Sequence, residues 1–191
     1  VKVPYGTWII REIESPKGYV LSEEEIAVTI GKVDEVVEIE LVNYFIKGNI
    51  ALTKVDEDYP DNKLSGAVFE VYSDTNGDGK LDKDDTLLGE MKELDGGVYQ
   101  MSELRYGKYL VKESKAPTGF VLDEDVYAVS IEENGKTYTV ENKAGVGFIN
   151  AAQKGSLKIV KTSSDGKVED FSFRVTGVDY DNTFKTDKNG E

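Results

Sequence analysis

Three side-chain types capable of joint chemistry recur in register along this chain, and each stands where an apolar residue is expected. Residues two apart in a strand share a face. Ile50 and Leu52 therefore carry Lys54 onto an apolar face, Tyr109 and Val111 carry Glu113, and Val146 and Phe148 carry Asn150. The phase repeats elsewhere: Leu157 and Ile159 lead to Lys161, Trp8 and Ile10 to Glu12, and Val37, Ile39 and Leu41 to Asn43. Burying such groups unpaired costs several kcal/mol each, so the repetition of all three predicts that they meet inside a core.

A buried amine, carboxylic acid and carboxamide in contact have a specific reaction open to them. Loss of solvation favours the neutral amine of Lys and the protonated acid of Glu. The neutral amine is a nucleophile held against a weak electrophile, and fixed proximity is worth about 7 to 11 kcal/mol of barrier. The acid can polarise the carboxamide oxygen and relay protons. The product is an amide between two side chains, with ammonia lost, formed once per molecule and therefore not enzymatic turnover. The chain has no Cys and no His, which removes thiolate nucleophiles, Ser-His and Cys-His arrangements and ordinary zinc sites. A carboxylate pair of the glycosidase kind is the catalytic option that remains, and no spacing singles one out.

The elements that must place these residues are short strands in a tandem array. Tyr5 to Leu21 (YGTWIIREIESPKGYVL) matches Tyr106 to Leu122 (YGKYLVKESKAPTGFVL) without a gap. Val42 to Lys54 matches Ile149 to Lys161, and AVFEVY from Ala67 resembles FSFRVT from Phe171. The layout is the back half of one repeat over residues 1–47, a complete repeat over 48–154 and the front half of another over 155–191, a slice of a longer array. Segments such as NIALTKV, AVFEVY, KYLVKE, VYAVSI and KTYTVEN alternate with Gly, Asn, Asp and Pro clusters, and long helical periodicity is absent. ENGK and DKNG are expected to supply hairpin turns. The fold class is all-β: tandem antiparallel sandwiches, one complete and two partial, with about seven strands per repeat.

YLVKESKAPTGF, with Glu113, Pro117 and Gly119, resembles the E-box of Gram-positive pilins, and the repeat as a whole resembles the Cna protein B-type (collagen-adhesin B-type, SpaA-like pilin) domains. An early inward Lys, a middle Glu and a closing Asn fall in that family's order. The resemblance implies an immunoglobulin-like or prealbumin-like sandwich and a spontaneous isopeptide bond between Lys54 and Asn150, promoted by Glu113. It implies that Glu12 and Asn43 belong to a domain whose Lys lies upstream, and Lys161 to one whose Glu and Asn lie downstream. It implies an extracellular, cell-wall anchored stalk, its anchor outside this sequence, whose partners are the neighbouring repeats of the same chain.

A second candidate site is DTNGDGKLDKDD, with oxygen ligands at calcium-loop positions from Asp74, Asn76, Asp78, the Lys80 carbonyl, Asp82 and Asp85. Asp in place of Glu at the last position shortens the reach, and a strand replaces the entering helix. Structural Ca2+ is the expected cofactor. With 23 basic against 37 acidic residues and a net charge of -14, neither nucleic acid nor an anionic membrane is an expected partner. No apolar run approaches the roughly 20 residues that span a bilayer. APTGF at Ala116 lacks the Leu of a sortase signal, and YPDNK at Tyr59 is a loop tyrosine. Two other functions stay open at this point. One is an adhesin module that binds a host matrix protein or glycan through its loops. The other is a calcium-dependent scaffolding module of an extracellular polysaccharide-degrading system, which would require paired loops on helices.

Overall fold

Alternating apolar and polar residues over short stretches fold into strands in the computed structural model, which describes residues 1–177 and 180–191 and, among them, contains no helix. The chain divides into two compact units, Val1–Gln153 and Lys154–Glu191.

In the first unit, β1 (Gly6–Arg11) and β2 (Glu25–Ile30) form an antiparallel pair, with Gly6 opposite Ile30 and Arg11 opposite Glu25. Nine further strands follow: β3 (Lys47–Asp56), β4 (Val68–Ser73), β5 (Thr86–Glu90), β6 (Lys92–Glu93), β7 (Val98–Arg105), β8 (Gly107–Lys115), β9 (Val126–Ile131), β10 (Thr137–Thr139) and β11 (Phe148–Asn150). They make two sheets. One has the order β10-β3-β7-β6 with β11 also on β3, and the other has the order β5-β4-β8-β9.

The inward positions of both sheets build one core. Ile50 and Leu52 of β3 and Tyr99 of β7 meet Phe69 and Val71 of β4, Val111 of β8, Ile131 of β9 and Phe148 of β11. Each fully buried side chain of this size contributes about 1.5 to 3 kcal/mol. Phe69 meets Tyr99 and Phe148 edge-on, at centroid separations of 5.1 and 4.9 Å. The Tyr99 hydroxyl accepts the Ala67 N–H at 3.0 Å, so the largest core side chain also closes a backbone donor.

Residues 1–47 are joined to this sandwich through Ile46, which is bonded to both sides, and by two cation–ring contacts, one of them Lys17 Nζ at 5.5 Å from the Tyr106 ring centroid. Ile46 N–H donates to Gly18 O and Tyr106 N–H to Ile46 O, both at 2.9 Å, while the Arg105 guanidinium lies 4.1 Å from the Phe45 ring centroid. Among its described residues the second unit carries one antiparallel pair, β12 (Ser172–Gly177) and β13 (Tyr180–Lys185), with Phe173 opposite Phe184.

The all-β sandwich matches the sequence expectation, with four differences. The pairing is not wholly antiparallel, because β10 and β11 both run parallel to β3. ENGK is not a hairpin turn: β9 and β10 lie in different sheets, and the turn is gripped by the start of β3. There, Gly135 N–H donates to Lys47 O at 2.7 Å and Asn49 N–H to Lys136 O at 2.8 Å. DKNG follows β13 and closes on Lys161, whose N–H donates to Gly190 O at 2.8 Å, instead of joining two strands. Finally, residues 37–43 and 155–161 form no strand. Alternation alone makes a strand only where a partner edge is available.

Candidate functional site

Lys54 stands at the end of β3 in phase with Ile50 and Leu52, and its backbone is held on both sides. Its N–H donates to Gly97 O at 2.7 Å, and its carbonyl accepts Leu64 N–H at 2.8 Å. Gly97 has φ of +78°, and a Cβ there would lie 2.9 Å from Leu64 N and O and 3.0 Å from Lys54 O. Only glycine allows this close approach.

β11 runs parallel beside the same stretch, with Phe148 opposite Lys54 and Asn150 opposite Asp56. Phe148 and Asn150 therefore face the interior that Lys54 enters. From the other sheet, β8 brings Glu113 to the same place, opposite Phe69 of β4. All three side chains are buried, with relative exposures of 0% for Lys54, 0% for Glu113 and 3% for Asn150.

The hydrogen bonding leaves reactive capacity unused. Lys54 Nζ donates to Phe148 O at 3.0 Å. Glu113 Oε2 accepts from Asn150 Nδ2 at 3.0 Å and from Asp123 N–H at 2.9 Å. Glu113 Oε1 and Asn150 Oδ1 are sealed from solvent with no partner. Two buried acceptors without a donor cost about 1 to 3 kcal/mol each, and a proton on the Glu113 acid turns one of them into a donor. Aromatic rings form the surrounding wall: Nζ lies 5.4 Å from the Phe148 ring centroid, and Tyr127 meets that ring edge-on at 5.2 Å.

Burial drives the titration of both groups toward their neutral forms. It pulls the Lys54 amine down to about 8, against the opposing pull of Glu113, Asp123 and Asp56. It pushes the Glu113 acid up, against the Asp123 N–H, the Asn150 amide and the Lys54 charge. A neutral amine and a neutral acid side by side are what nucleophilic attack on a carboxamide requires.

The structure brings together Lys54, Glu113 and Asn150 and, separately, Glu12 and Asn43. Asn43 Nδ2 donates to both Glu12 oxygens at 2.8 Å, and Ser22 N–H donates to Glu12 Oε2 at 2.8 Å, the counterpart of Asp123 N–H on Glu113. This second pair is only half-buried. Lys161 does not enter a core as its alternation predicts. It is half-buried, its Nζ turns to Thr162 O and lies 4.5 Å from the Phe171 ring centroid. A lone hairpin has no second sheet to cover an amine, and no Glu–Asn pair is folded against it within the described residues of its unit.

The Asp74–Asp85 loop connects β4 to β5. Its acids close on the loop's own amides: Asp74 accepts Gly77 N–H at 2.7 Å and Gly79 N–H at 3.1 Å, and Asp85 accepts Thr75 N–H at 3.0 Å and Asp82 N–H at 2.9 Å. Asn76 Nδ2 bonds Asp82 Oδ2 at 3.1 Å, while Asp78 Oδ1 accepts Lys80 N–H at 2.9 Å. Among the described residues, no three acids converge on one metal position. The donor set, all oxygen, fits a hard cation such as Ca2+.

Sequence reasoning missed Asp123, Tyr127, Asn142 and the Phe148 carbonyl. Asn142 closes the KTYTVEN segment after Tyr138 and Val140, the same interrupted apolar face that found the others, and went unread; Asp123 directly follows the matched E-box and interrupts no such face.

Comparison with known proteins agrees with the architecture. The family model of the SpaA prealbumin-like fold domain matches residues 1–44 and 48–144. The Bacillus anthracis TIE protein superposes with a TM-score of 0.76 at 28% identity, covering 98% of this chain and 34% of that one, so this chain spans about a third of its length. BcpA, the major pilin subunit of Bacillus cereus, matches at 25% identity and TM-score 0.44 over 79% of this chain and 40% of its own. GBS52, the minor pilin of the gram-positive pathogen Streptococcus agalactiae, matches at 24% identity and TM-score 0.42 over 84% and 66%. No curated protein matches. The all-β sandwich and the match of the family model over both repeats lead to one conclusion: the chain belongs to the SpaA prealbumin-like fold domain family.

Proposed function

We propose that this chain is a piece of a structural stalk of a Gram-positive surface protein, pilin or adhesin, whose complete repeat locks itself with an amide between Lys54 and Asn150. Family membership supports the structural, non-enzymatic role and the extracellular setting. The observation that carries the chemistry is the joint burial of Lys54, Glu113 and Asn150 with Glu113 Oε1 and Asn150 Oδ1 left without donors.

The neutral Lys54 amine uses its lone pair to form a bond to Asn150 Cγ, and the carbonyl electrons move onto Oδ1. The acid proton of Glu113 stabilises that oxygen. The tetrahedral centre collapses, the Cγ–Nδ2 bond breaks, and the proton given up by Nζ passes through Glu113 to Nδ2, which leaves as ammonia. Amine plus carboxamide thus become substituted amide plus ammonia, with Glu113 regenerated as the acid.

Placement explains why this serves a stalk. Lys54 lies on the first strand of the repeat and Asn150 on the last, and these strands are adjacent and parallel. Tension applied at the two ends then runs along β3 to residue 54, crosses the covalent link and leaves from residue 150, the last of β11, into the chain that follows. The residues between 54 and 150 bear none of it. The Asp74–Asp85 loop is proposed to hold structural Ca2+ at the side of this load path.

The test is the intact mass of the purified chain. The expected mass is below the sequence mass by one ammonia, with Lys54→Ala and Asn150→Ala each restoring the full value. A parent at its full sequence mass overturns the reading.

A further inference from the structure

Asn150 sits on a strand of only three residues with β3 on one side, yet the reaction needs its Cγ held still against Nζ. The other side of that strand is occupied by a side chain. Asn142 Oδ1 accepts Ile149 N–H at 2.6 Å, and Asn142 Nδ2 donates to Ile149 O at 2.9 Å. One carboxamide thus takes both backbone groups of Ile149, as a neighbouring strand would.

Those two groups belong to the two peptide planes that matter. The Ile149 N–H lies in the plane that also holds the Phe148 carbonyl, the acceptor of Lys54 Nζ. The Ile149 carbonyl lies in the plane that holds the Asn150 nitrogen. Because each peptide unit is rigid, fixing both planes fixes where the amine's acceptor sits and where the Asn150 side chain departs from the backbone.

The far end of Asn142 reaches the acid. Its Nδ2 also donates to Asp123 Oδ2 at 2.7 Å, and that oxygen accepts the Tyr127 hydroxyl at 2.7 Å. Asp125 N–H closes on Asp123 Oδ1 at 2.9 Å, and Asp123's own N–H donates to Glu113 Oε2 at 2.9 Å. The strand bearing the electrophile and the loop gripping the acid are therefore tied through a single pair of side chains. In the half-repeat, Ser22 supplies the N–H to Glu12, but its hydroxyl turns to Glu24 N–H at 3.2 Å, so the Asp123 side-chain link has no counterpart there.

We propose that Asn142, anchored by Asp123 and Tyr127, is a positioning residue that sets Asn150 and the Phe148 carbonyl against Lys54 for amide formation. This rests on the amide-forming reading above. Asn142 touches neither the amine nor the reacting carbon; it acts through the Ile149 backbone.

The test follows ammonia loss by intact mass during cell-free synthesis of the full 191-residue chain, with aliquots quenched in acid. The variants are Asn142→Ala and the exchange Asp123→Asn with Asn142→Asp. The exchange restores a hydrogen bond between positions 123 and 142 but leaves no donor for the Ile149 carbonyl. Melting is read separately with each change placed in a Lys54→Met chain, where no link can form. Asn142→Ala is expected to slow ammonia loss tenfold or more while the folded β-sheet signal is kept. The exchange is expected to regain melting temperature in the Lys54→Met chain yet remain slow. Ammonia loss at the parent's rate in either folded variant overturns the positioning role, and should Asn142→Ala not fold, the exchange alone decides. A parent that loses no ammonia removes the amide reading itself, a result distinct from a fast variant.

Discussion

Replacing Glu113 by Gln keeps the side chain's size and an oxygen for Asp123 N–H while removing the acid on which proton relay depends. The Lys54–Asn150 link should then fail to form, although both reactants stay in place. A cross-link between residues 54 and 150 closes a loop of 96 positions, which in the chain-entropy model stabilises by about 4.7 kcal/mol. For a repeat of roughly 100 residues, with an unfolding entropy of about 2.1 cal/mol/K per residue, that corresponds to a melting temperature lower by about 20 °C. The unlinked variant also keeps a buried amine. Burial lowers Lys54 from its ordinary 10.5 to about 8, so the folded state holds that proton less tightly than the unfolded one. Glu113 is the first of the charges opposing that shift, so in its absence the Lys54 amine is lowered further, and the resulting destabilisation is relieved progressively as pH rises toward 10.5. Calorimetry of parent and Glu113→Gln, with intact masses of both, checks each part. The variant should carry the full sequence mass, melt about 20 °C lower at neutral pH, and gain stability across the alkaline window while the parent does not. Equal melting temperatures, or a variant that still loses ammonia, would refute the reasoning.

Three further outcomes are expected. The rate of ammonia loss in newly made chain should be bell-shaped in pH, flat while the Lys54–Glu113 pair shares one proton and falling above about pH 8 as the pair loses it; a rate still climbing at higher pH would rule out the acid role. Gly97→Ala forces a Cβ to 2.9 Å from Leu64 and strains a φ of +78°, so in a Lys54→Met chain it should lower the urea-unfolding free energy by at least about 2 kcal/mol; an unchanged midpoint would show that the β3 end is not held as described. Calcium at a hundredfold excess over its dissociation constant should stabilise the parent by about 2.7 kcal/mol, an effect removed by chelator and absent in Asp74→Ala; identical melts with calcium and with chelator would dismiss the loop as a metal site.

The amine, acid and carboxamide were legible because each breaks a period-two pattern that the rest of its strand obeys. Lys54 after Ile50 and Leu52, and Glu113 after Tyr109 and Val111, can be read without knowing any contact. The same rule overreached at Lys161 and over residues 37–43, because alternation reports which face a strand would bury and says nothing about whether a second sheet is present to cover it. Strand direction was also invisible: the parallel seating of β11 on β3 depends on a chain path that passes through both sheets before returning. Asn142, after Tyr138 and Val140, breaks its pattern in the same way and was passed over, whereas Asp123 breaks none. Both serve backbone groups and each other at half-buried positions, where polar residues are ordinary in sequence.

The two Glu–Asn pairs separate what the E-box does from what the core does. In the half-repeat, Asn43 Nδ2 reaches both oxygens of Glu12, Val20 N–H donates to Tyr44 O and Ile46 N–H to Gly18 O. In the complete repeat, Val121 N–H donates to Ala151 O and Gln153 N–H to Gly119 O, the same bonds at equivalent positions. The loop and closing segment therefore assemble the acid beside the carboxamide without help from a lysine. What differs is closure. At Glu113 and Asn150 the opposing sheet removes solvent, Asn150 keeps one bond to the acid instead of two, and an acceptor on each partner is left bare. A half-buried pair can satisfy such acceptors with water, whereas the sealed pair needs a proton on the acid. Local sequence thus prepares the electrophile, and completion of the sandwich around Lys54 supplies the dry interior that shifts both amine and acid toward their neutral forms. Reaction is thereby confined to a repeat that has already folded, since before the second sheet closes the amine remains an ammonium ion with no lone pair to offer.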